Sequence, residues 1–347
     1  EASRDTYSKG DSQWGLIPNY DDEQCCEYFR ESLVYLHENY RIDGYRFDHT
    51  RTIIKAGEQD WFVRRPGSKR GWDFLHGVRG AVKKANAGIF MYGEHLPSEP
   101  PVSNFGGPMD SQTCQEYKEE IYKVCKGEYS RLSNFASALY LSHSSYDNWF
   151  KIVNYACSHD GAGNDGRRTA FVGGYGQGLR RNKVAATALH MSRGVPCFFM
   201  GEEYGETEPF RFDSEETLKL SIIEETVHNL RVLEWWKTMI RLRRNNWKIM
   251  GGSPLKVHFV ENSVIAFSRG LAQEYFFVLN FGPSAYLKNL GVMNLPDGSY
   301  KELWNSTWPQ FQVEWEDMHE NGGWGANLHR GFDLRIPDYG AVVLERR

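Results

Sequence analysis

The chain has 347 residues, of which 40% are hydrophobic and 25% are charged, as is usual for a soluble globular protein of one large domain or two. Its formal net charge of -4 gives no basic footprint for nucleic acid or anionic membrane, and no apolar run is long enough to span a bilayer, so neither partner is predicted. The six cysteines form neither a CxxC pair nor a disulfide framework, which favours reduced thiols and a cytoplasmic location.

The N-terminal part is predicted to be a loop followed by a helix. Residues 1–20 are polar and contain glycine, as loops do. Asp21 or Asp22 then provides a helix N-cap, and apolar residues recur every three or four positions as far as Tyr40. The same periodicity predicts a further helix at 74–85.

Between these helices, residues 40–50 predict a short strand that carries an arginine and a carboxylate on one face. With a period of two, Arg46 and Asp48 project from the same side at the carboxyl end of the strand. A solvated edge strand could have the same pattern. The pair therefore gains weight only because other predicted strands also end in acidic residues.

Two such strands follow. The first is an apolar run that ends at Glu94, as expected for a strand covered on both faces. The second spans 151–160 and ends in His159 and Asp160, and a glycine-rich turn that contains Asn164 comes next.

The alternation continues with a helix at about 181–191 and a strand at 195–203. Strand, helix and strand in succession predict parallel βαβ units and an α/β fold. A helical pattern at 214–245 ends at a break that contains Gly and Pro, and beyond it the period becomes that of strands. We therefore predict an α/β domain at 1–249 and a small antiparallel all-β domain at 250–347.

The three strand-end acids, Asp48, Glu94 and Asp160, are spaced for a shared site. Each interval exceeds the roughly 30 residues that a βαβ unit needs. In a β/α barrel all strand carboxyl ends face one mouth, so the three side chains would converge there. Retaining glycoside hydrolysis needs a nucleophilic carboxylate and a proton-donating one about 5 Å apart, and crowding raises the pKa of at least one of them.

The segments at 43–48, 93–94 and 158–160 resemble three ordered signature segments of the α-amylase superfamily, glycoside hydrolase family 13. The resemblance extends over nearly all of the chain. It implies that Asp48 is the nucleophile, Glu94 the general acid/base and Asp160 the transition-state stabiliser. It also implies that Arg46 orients and supports Asp48, and that His159 hydrogen-bonds the sugar in the subsite that is cleaved.

Two more residues, His49 and Asn164, are candidates for substrate contact. His49 could equally well form a hydrogen bond that supports a neighbouring site residue. Asn164 is more simply explained as a turn-forming residue. The acidic cluster at 202–208 lacks the loop spacing of a calcium site and is predicted to be a solvated loop. We predict neither a metal nor a cofactor.

The resemblance implies a (β/α)8 TIM barrel followed by a small antiparallel β-sandwich. The family's first signature, an Asp on the third barrel strand followed by Asn-His, has no counterpart in this sequence. The strands that end near Asp48, Glu94, Asp160 and Phe199 then resemble the fourth, fifth, seventh and eighth, with the sixth expected within 134–149. We therefore expect a C-terminal portion of the enzyme, without the N-terminal strands, that is inactive alone.

The expected activity is hydrolysis of α-1,4-linked glucooligosaccharides or of polymers such as starch and glycogen. Within the family, the chain most resembles maltooligosyltrehalose trehalohydrolases and glucan branching enzymes, so glycosyl transfer by a branching enzyme stays open. A catalytically silent, amylase-like binding protein is the third possibility. Silent relatives usually lack the acids, and all three are present here, which favours an enzyme with an α-glucan substrate.

Overall fold

The structure, a computed structural model, describes residues 7–140, 146–164, 166, 168, 169, 172, 175–215, 218–250, 252–284, 286–313, 316, 321, 327–329 and 331–347. The chain divides into two compact units. Unit 1 takes residues 1–115 and 145–153, and unit 2 takes residues 116–144 and 154–347.

Unit 1 combines a small antiparallel sheet with a set of parallel strands and helices. Its strands, in chain order, are β1 (Ser8–Ser12), β2 (Gly15–Pro18), β3 (Gly44–Phe47), β4 (Val63–Arg65), β5 (Phe90–Gly93), β6 (Ser111–Thr113) and the beginning of β7 (Ile152–Tyr155). Its helices are α1 (Glu23–Tyr40), α2 (Thr50–Ile54), α3 (Gly71–Ala85) and α4 (Pro100–Ser103). The strand β3 pairs with β5, β5 with β6, and β6 with β7, each time in parallel, which confirms the predicted parallel units.

Local chemistry explains where the two long helices of unit 1 begin. The Asp22 carboxylate accepts hydrogen bonds from the amides of Gln24 and Cys25, so it is the predicted N-cap of α1. The helix α3 starts at Gly71, where a Cβ atom would lie only 1.8 Å from the carbonyl oxygen of Ile53. Glycine therefore lets α3 begin in direct contact with the backbone of α2.

The prediction of a loop at 1–20 is wrong for residues 8–18, and residues 1–6 of that range lie outside the described part. The strands β1 and β2 form a hairpin, and β4 pairs with the other edge of β1. The Ser12 hydroxyl closes the turn by accepting from the amide of Trp14 and donating to the carbonyl of Gly15. These strands are short, polar and partly exposed, so their sequence lacks the apolar alternation that identifies a strand.

Unit 2 contains the remaining helices and the all-β part. Its helices are α5 (Gln115–Cys125), α6 (Leu132–Leu139), α7 (His159–Gly163), α8 (Tyr175–Met191), α9 (Ile222–Glu225) and α10 (Val227–Arg244). Its strands are β8 (Val195–Cys197), β9 (Leu255–Glu261), β10 (Val264–Arg269), β11 (Tyr275–Asn280), β12 (Tyr286–Asn289), β13 (Ser299–Asn305), β14 (Asn327–His329), β15 (Asp333–Ile336) and β16 (Ala341–Arg346).

The all-β part confirms the predicted antiparallel C-terminal architecture. Six strands follow one another in the order β14-β13-β16-β11-β10-β9, and β12 pairs with β15. All of the pairings observed among them are antiparallel. Apolar side chains such as Phe276, Tyr300 and Leu334 fill the core beneath these strands.

The helix α10 packs against α8 through two buried tryptophans. The Trp235 indole donates to the carbonyl of Lys183, and the Trp236 indole donates to the side-chain oxygen of Asn182. Both rings are at most 2% exposed. They are therefore packing residues of unit 2.

Three strand predictions in the α/β part need correction. The strand predicted at 195–203 ends at Cys197, and Glu202–Tyr204 form a single 3₁₀ turn. The strand predicted at 151–160 ends at Tyr155, because the Ser158 hydroxyl accepts from the amide of Gly161 and starts the short helix α7. Asp160 therefore lies in the first turn of a helix. The strand expected within 134–149 is instead β6, whose three polar residues carry no apolar signal; residues 141–145 of that range lie outside the described part.

The acidic segment at 202–208 is not the solvated loop that was predicted. Glu202 and Glu206 are 1% and 2% exposed, and backbone amides such as those of Phe199 and Thr207 donate to their carboxylates. Burial raises the pKa of Glu202 to about 7. Among the described residues, no group of three or more His, Cys, Asp or Glu side chains could hold a metal ion.

Over the same described residues, none of the helices combines the length and hydropathy that crossing a membrane needs.

A buried ion pair joins α8 to the C-terminal part of unit 2. The Lys183 ammonium lies 2.7 Å from Glu316 and also donates to the carbonyls of Ser306 and Phe311, with both charged side chains fully buried. Lys183→Met is expected to lower the free energy of unfolding by about 3–5 kcal/mol, because it leaves Glu316 buried without its counter-ion.

Chemical denaturation of the variant would measure this loss. The matched control is Lys237→Met, which breaks a half-exposed pair with Glu234 on α10 and should change stability by less than about 0.5 kcal/mol. Equal effects of the two variants would contradict a stabilising role for the buried pair.

Candidate active site

The register between β3 and β5 brings the first two predicted acids together. Phe47 is paired with Gly93, and the amide of Glu94 donates to the carbonyl of Phe47 at 2.9 Å. The amide of Thr50 then donates back to the carbonyl of Glu94 at 2.8 Å. Asp48 and Glu94 therefore leave adjacent parallel strands at the same level.

The Arg46 side chain bridges the two carboxylates. One terminal nitrogen of its guanidinium lies 2.6 Å from Asp48 Oδ1, and the other lies 2.9 Å from Glu94 Oε2. A planar guanidinium has its donors in a fixed fork, so this contact also fixes the separation and orientation of the two acids.

The environments of the two acids displace their pKa values in opposite directions. The Asp48 side chain is 77% exposed and that of Glu94 is 13% exposed. Partial desolvation would raise the pKa of Asp48, but the hydrogen bond and charge of Arg46 outweigh it and hold this pKa below its ordinary value. Burial raises the pKa of Glu94 above its ordinary value; the nearby Asp48 charge acts in the same direction, while Arg46 and the His49 amide oppose it.

This difference assigns different chemistry to the two carboxylates. A carboxyl group with a low pKa is ionised and able to attack an electrophile, whereas one with a raised pKa keeps its proton to higher pH. Such a pair can carry out nucleophilic attack and proton donation at one site.

His49 follows the first acid with an unusual backbone conformation. Its φ is 37° and its ψ is 54°, in the left-handed region that residues other than glycine rarely adopt. Its amide donates to Glu94 Oε2 at 3.1 Å, and its ring lies against the rings of Trp14 and Phe62. Burial lowers the pKa of the His49 imidazole, so the ring is neutral at neutral pH.

Two further residues beside the acids serve as supports. His95 is 1% exposed, its Nδ1 lies 3.0 Å from the Thr50 hydroxyl, and burial lowers its pKa to about 4. Arg51 forms ion pairs with Asp60 and Glu99 at 2.8 and 3.0 Å. These contacts tie together the loops that follow β3 and β5.

The other predicted site residues lie on α7 and just after it, in unit 2. His159 Nε2 is 3.4 Å from Asp160 Oδ2, and both side chains are about half exposed. The Asn164 side chain donates to Asp160 Oδ1 at 3.4 Å, a long hydrogen bond. At Gly163 a Cβ atom would lie 2.3 Å from the Phe212 ring, so only glycine lets α7 pack this closely against that ring.

The structure thus brings the predicted residues together in two sets. Arg46, Asp48, His49 and Glu94 form one set in unit 1. His159, Asp160 and Asn164 form the other set in unit 2.

Sequence reasoning missed the part that Trp14 and Phe62 take in the first set. Trp14 lies in the turn between β1 and β2, inside the segment that was predicted to be loop, and Phe62 directly precedes β4. The signal that could have found it is the turn around Gly15, whose φ of 121° requires glycine.

Two family profiles together match most of the chain. Residues 17–239 match the family described as alpha amylase, catalytic domain, and residues 256–347 match alpha amylase, C-terminal all-beta domain. The two matches occur along the chain in the same order as the α/β part and the all-β part of the structure. Parallel strands that alternate with helices also fit the barrel expected for the first of them.

The chain is also similar to individual proteins. It is 24% identical to malto-oligosyltrehalose trehalohydrolase from Saccharolobus solfataricus, over 58% of this chain and 38% of that protein. Its fold is similar to a pullulanase from Anoxybacillus sp. LM18-11 complexed with maltotriose, with 16% identity, a TM-score of 0.65, and coverage of 96% of this chain and 47% of that one. It is likewise similar to a debranching enzyme from Nostoc punctiforme, with 17% identity, a TM-score of 0.68, and coverage of 95% and 64%. The chain therefore spans less than two thirds of the length of each of these proteins.

Proposed function

Because the chain belongs to the alpha-amylase family, we propose that the natural protein carrying these residues is a retaining glycoside hydrolase that acts on α-glucans. The observation that carries the proposal is the Arg46 bridge between Asp48 and Glu94, two carboxylates whose pKa values are displaced in opposite directions. This arrangement matches the division of labour that retaining hydrolysis requires.

We assign the first chemical step to these two acids. The ionised Asp48 attacks the anomeric carbon and forms a glycosyl ester, while the bond from that carbon to the leaving oxygen breaks. The proton of Glu94 passes to the leaving oxygen. Arg46 keeps Asp48 ionised and oriented, because its charge stabilises the carboxylate form.

In the second step, Glu94 acts as the base. It takes a proton from water, whose oxygen attacks the anomeric carbon and releases Asp48 as a carboxylate. Two displacements at the same carbon retain its configuration, and Glu94 regains the proton that it gave in the first step.

The second set of residues is assigned to substrate binding from the sequence resemblance. We propose that Asp160 holds sugar hydroxyls and stabilises the transition state, and that His159 hydrogen-bonds the same sugar. Asn164 orients Asp160 through its side-chain amide. The half-exposed state of the His159 and Asp160 side chains is compatible with contact to a ligand.

The substrate proposal rests on the relatives. The pullulanase to which the fold is similar is complexed with maltotriose, and the relative found by sequence is a malto-oligosyltrehalose trehalohydrolase. We propose α-1,4-linked glucooligosaccharides, or starch- and glycogen-type polymers, as substrates of this protein. A branching activity is the second candidate. Ser158, the N-cap of α7, stands where amylases commonly have Asn before His-Asp, and in this respect the chain is closer to branching enzymes.

The experiment is an assay of the natural full-length protein on maltoheptaose and amylose, followed by proton NMR. Hydrolysis with retention would give new reducing ends that appear first as the α-anomer. Formation of α-1,6 linkages without new reducing ends would show that the protein is a branching enzyme. Binding without turnover would show that it is a catalytically silent binding protein. First products of β-configuration would exclude the double displacement.

We also propose the domain division at 1–249 and 250–347 and a cytoplasmic location. The latter is supported by cysteines in the thiol form, of which Cys25, Cys26, Cys114, Cys125 and Cys157 are buried.

A further inference from the structure

We propose that Phe62 and Trp14 are positioning residues, which hold His49 in the backbone conformation that lets its amide hydrogen-bond the Glu94 carboxylate. We call the three rings of Trp14, His49 and Phe62 the aromatic clamp. The consequence for catalysis rests on the proposed function of Glu94. The effect of the clamp on the proton affinity of Glu94 can be tested without activity.

The backbone at His49 is the reason that a clamp is needed. A left-handed conformation is unfavourable for an L-residue, because its Cβ atom comes too close to the following carbonyl oxygen. In this conformation two consecutive amides converge on one residue: that of His49 donates to Glu94 Oε2 and that of Thr50 donates to the Glu94 carbonyl. Relaxation of His49 would separate these two donors from their shared target.

The contacts of the His49 ring oppose that cost. The ring centroid lies 4.7 Å from Trp14 and 4.3 Å from Phe62, and Nδ1 lies 2.6 Å from the Thr52 hydroxyl. An aromatic pair is stabilising beyond the area that it buries. Two such contacts therefore favour the ring position that the left-handed backbone allows.

The clamp is anchored outside the acid cluster. Trp14 stacks on Phe62 with an interplanar angle of 15° and a centroid distance of 5.4 Å. The amide of Gln13 donates to the carbonyl of Phe62, and Ser12 pairs with Val63. The small sheet of β1, β2 and β4 therefore fixes both rings, which gives it a role in setting the site.

Glu94 is surrounded by few groups that set its protonation. Arg46 and the His49 amide favour its ionised form, while burial and the Asp48 charge favour the neutral form. If the clamp is loosened, the amide of His49 is withdrawn and the other three influences remain. The pKa of Glu94 should then rise further, because a hydrogen bond to the carboxylate has been lost.

The test measures the pKa of Glu94 by NMR in protein labelled with 13C at the glutamate side-chain carboxyl, with Glu94→Gln to assign the signal. Phe62→Ala and Trp14→Ala are each expected to shift this pKa upward. The matched control is Trp61→Ala, which removes the neighbouring ring that is 91% exposed and should leave the pKa unchanged. Because Trp14 lies in an exposed turn, its variant keeps the test decisive if Phe62→Ala does not fold.

The same substitution made in a His49→Gly variant shows whether Phe62 acts on Glu94 through the His49 ring. In His49→Gly the backbone can adopt the left-handed conformation without a ring to hold it. Phe62→Ala should therefore shift the Glu94 pKa in the parent protein and add no shift in His49→Gly. Equal shifts in both backgrounds, or no shift in either, would overturn the proposal.

If the natural protein is active, the same variants have a kinetic signature. Phe62→Ala should lower kcat about tenfold, with KM within about twofold, and move the alkaline limb of the pH–rate profile upward. Phe62→Tyr keeps the ring and should restore both. A changed KM with an unmoved alkaline limb would indicate direct substrate contact and contradict positioning. Absence of any activity would count against the proposed function, and the NMR measurement would then decide on the clamp alone.

Discussion

In the natural full-length protein, Asp48→Asn is expected to reduce kcat on maltooligosaccharides by about 10⁴-fold or more, the largest effect of any single substitution that we predict. An amide of the same shape can still accept a hydrogen bond from Arg46 but cannot form the glycosyl ester. Steady-state kinetics on maltoheptaose would measure the loss. Mass spectrometry of protein treated with a fluorinated glycosyl substrate would show whether the label on Asp48 disappears.

The control for this experiment lies on the same segment. Asp43 is exposed, and its backbone carbonyl accepts a hydrogen bond from the amide of Phe90. Asp43→Asn should therefore keep kcat within about twofold and retain the label on Asp48. Labelling of another carboxylate in active protein, or comparable losses in the two variants, would remove Asp48 from the role of nucleophile.

The acid pair of unit 1 could be predicted because each acid ends a strand with a recognisable local pattern. A period-two pattern places Arg46 and Asp48 on one face, and the run before Glu94 is apolar as in a covered strand. The parallel register that brings Asp48 and Glu94 to the same level then follows from the pairing of Phe47 with Gly93. From sequence alone, the pair gained weight only because other predicted strands also end in acidic residues.

Elements stabilised mainly by polar contacts were not predictable in the same way. The strand β6 is Ser-Gln-Thr, and the buried side chains of Gln112 and Thr113 hydrogen-bond neighbouring segments, as when the Thr113 hydroxyl accepts from the amide of His95. Such polar contacts produce no hydrophobic periodicity in the sequence, so they cannot be predicted from it. The hairpin of β1 and β2 escaped prediction for the same reason.

Burial of charge was likewise hidden from the sequence. Four glutamates between 202 and 208 resemble a solvated segment, yet nearby amides and the Tyr204 hydroxyl satisfy the carboxylate of Glu206. A buried carboxylate is tolerated only with such partners, and which amides turn toward it depends on the folded loop. The left-handed backbone of His49 was also not predictable from the sequence, since the rings that contact His49 come from other segments of the chain.

Glu94→Gln is expected to slow turnover of maltooligosaccharides by about 10²–10⁴-fold, the usual contribution of a general acid. The loss in kcat/KM, which reports the first step, should be much smaller for glycosyl fluorides or nitrophenyl glycosides, whose leaving groups need no proton. Kinetics on both substrate classes would measure the difference. Glu58→Gln is the matched control, because Glu58 is an exposed acid of unit 1 in a surface pair with Lys55 and should change neither rate by more than about twofold.

The pH dependence gives an independent check on the same residue. With Glu94 as acid and Asp48 as nucleophile, the rate should fall as pH rises through the raised pKa of Glu94, and again as pH falls through the lowered pKa of Asp48. Glu94→Gln should abolish the alkaline limb on an activated substrate and keep the acidic one, since only Glu94 has lost its titration. Equal losses on both substrate classes, or an alkaline limb that persists in the variant, would assign the proton donor to another residue.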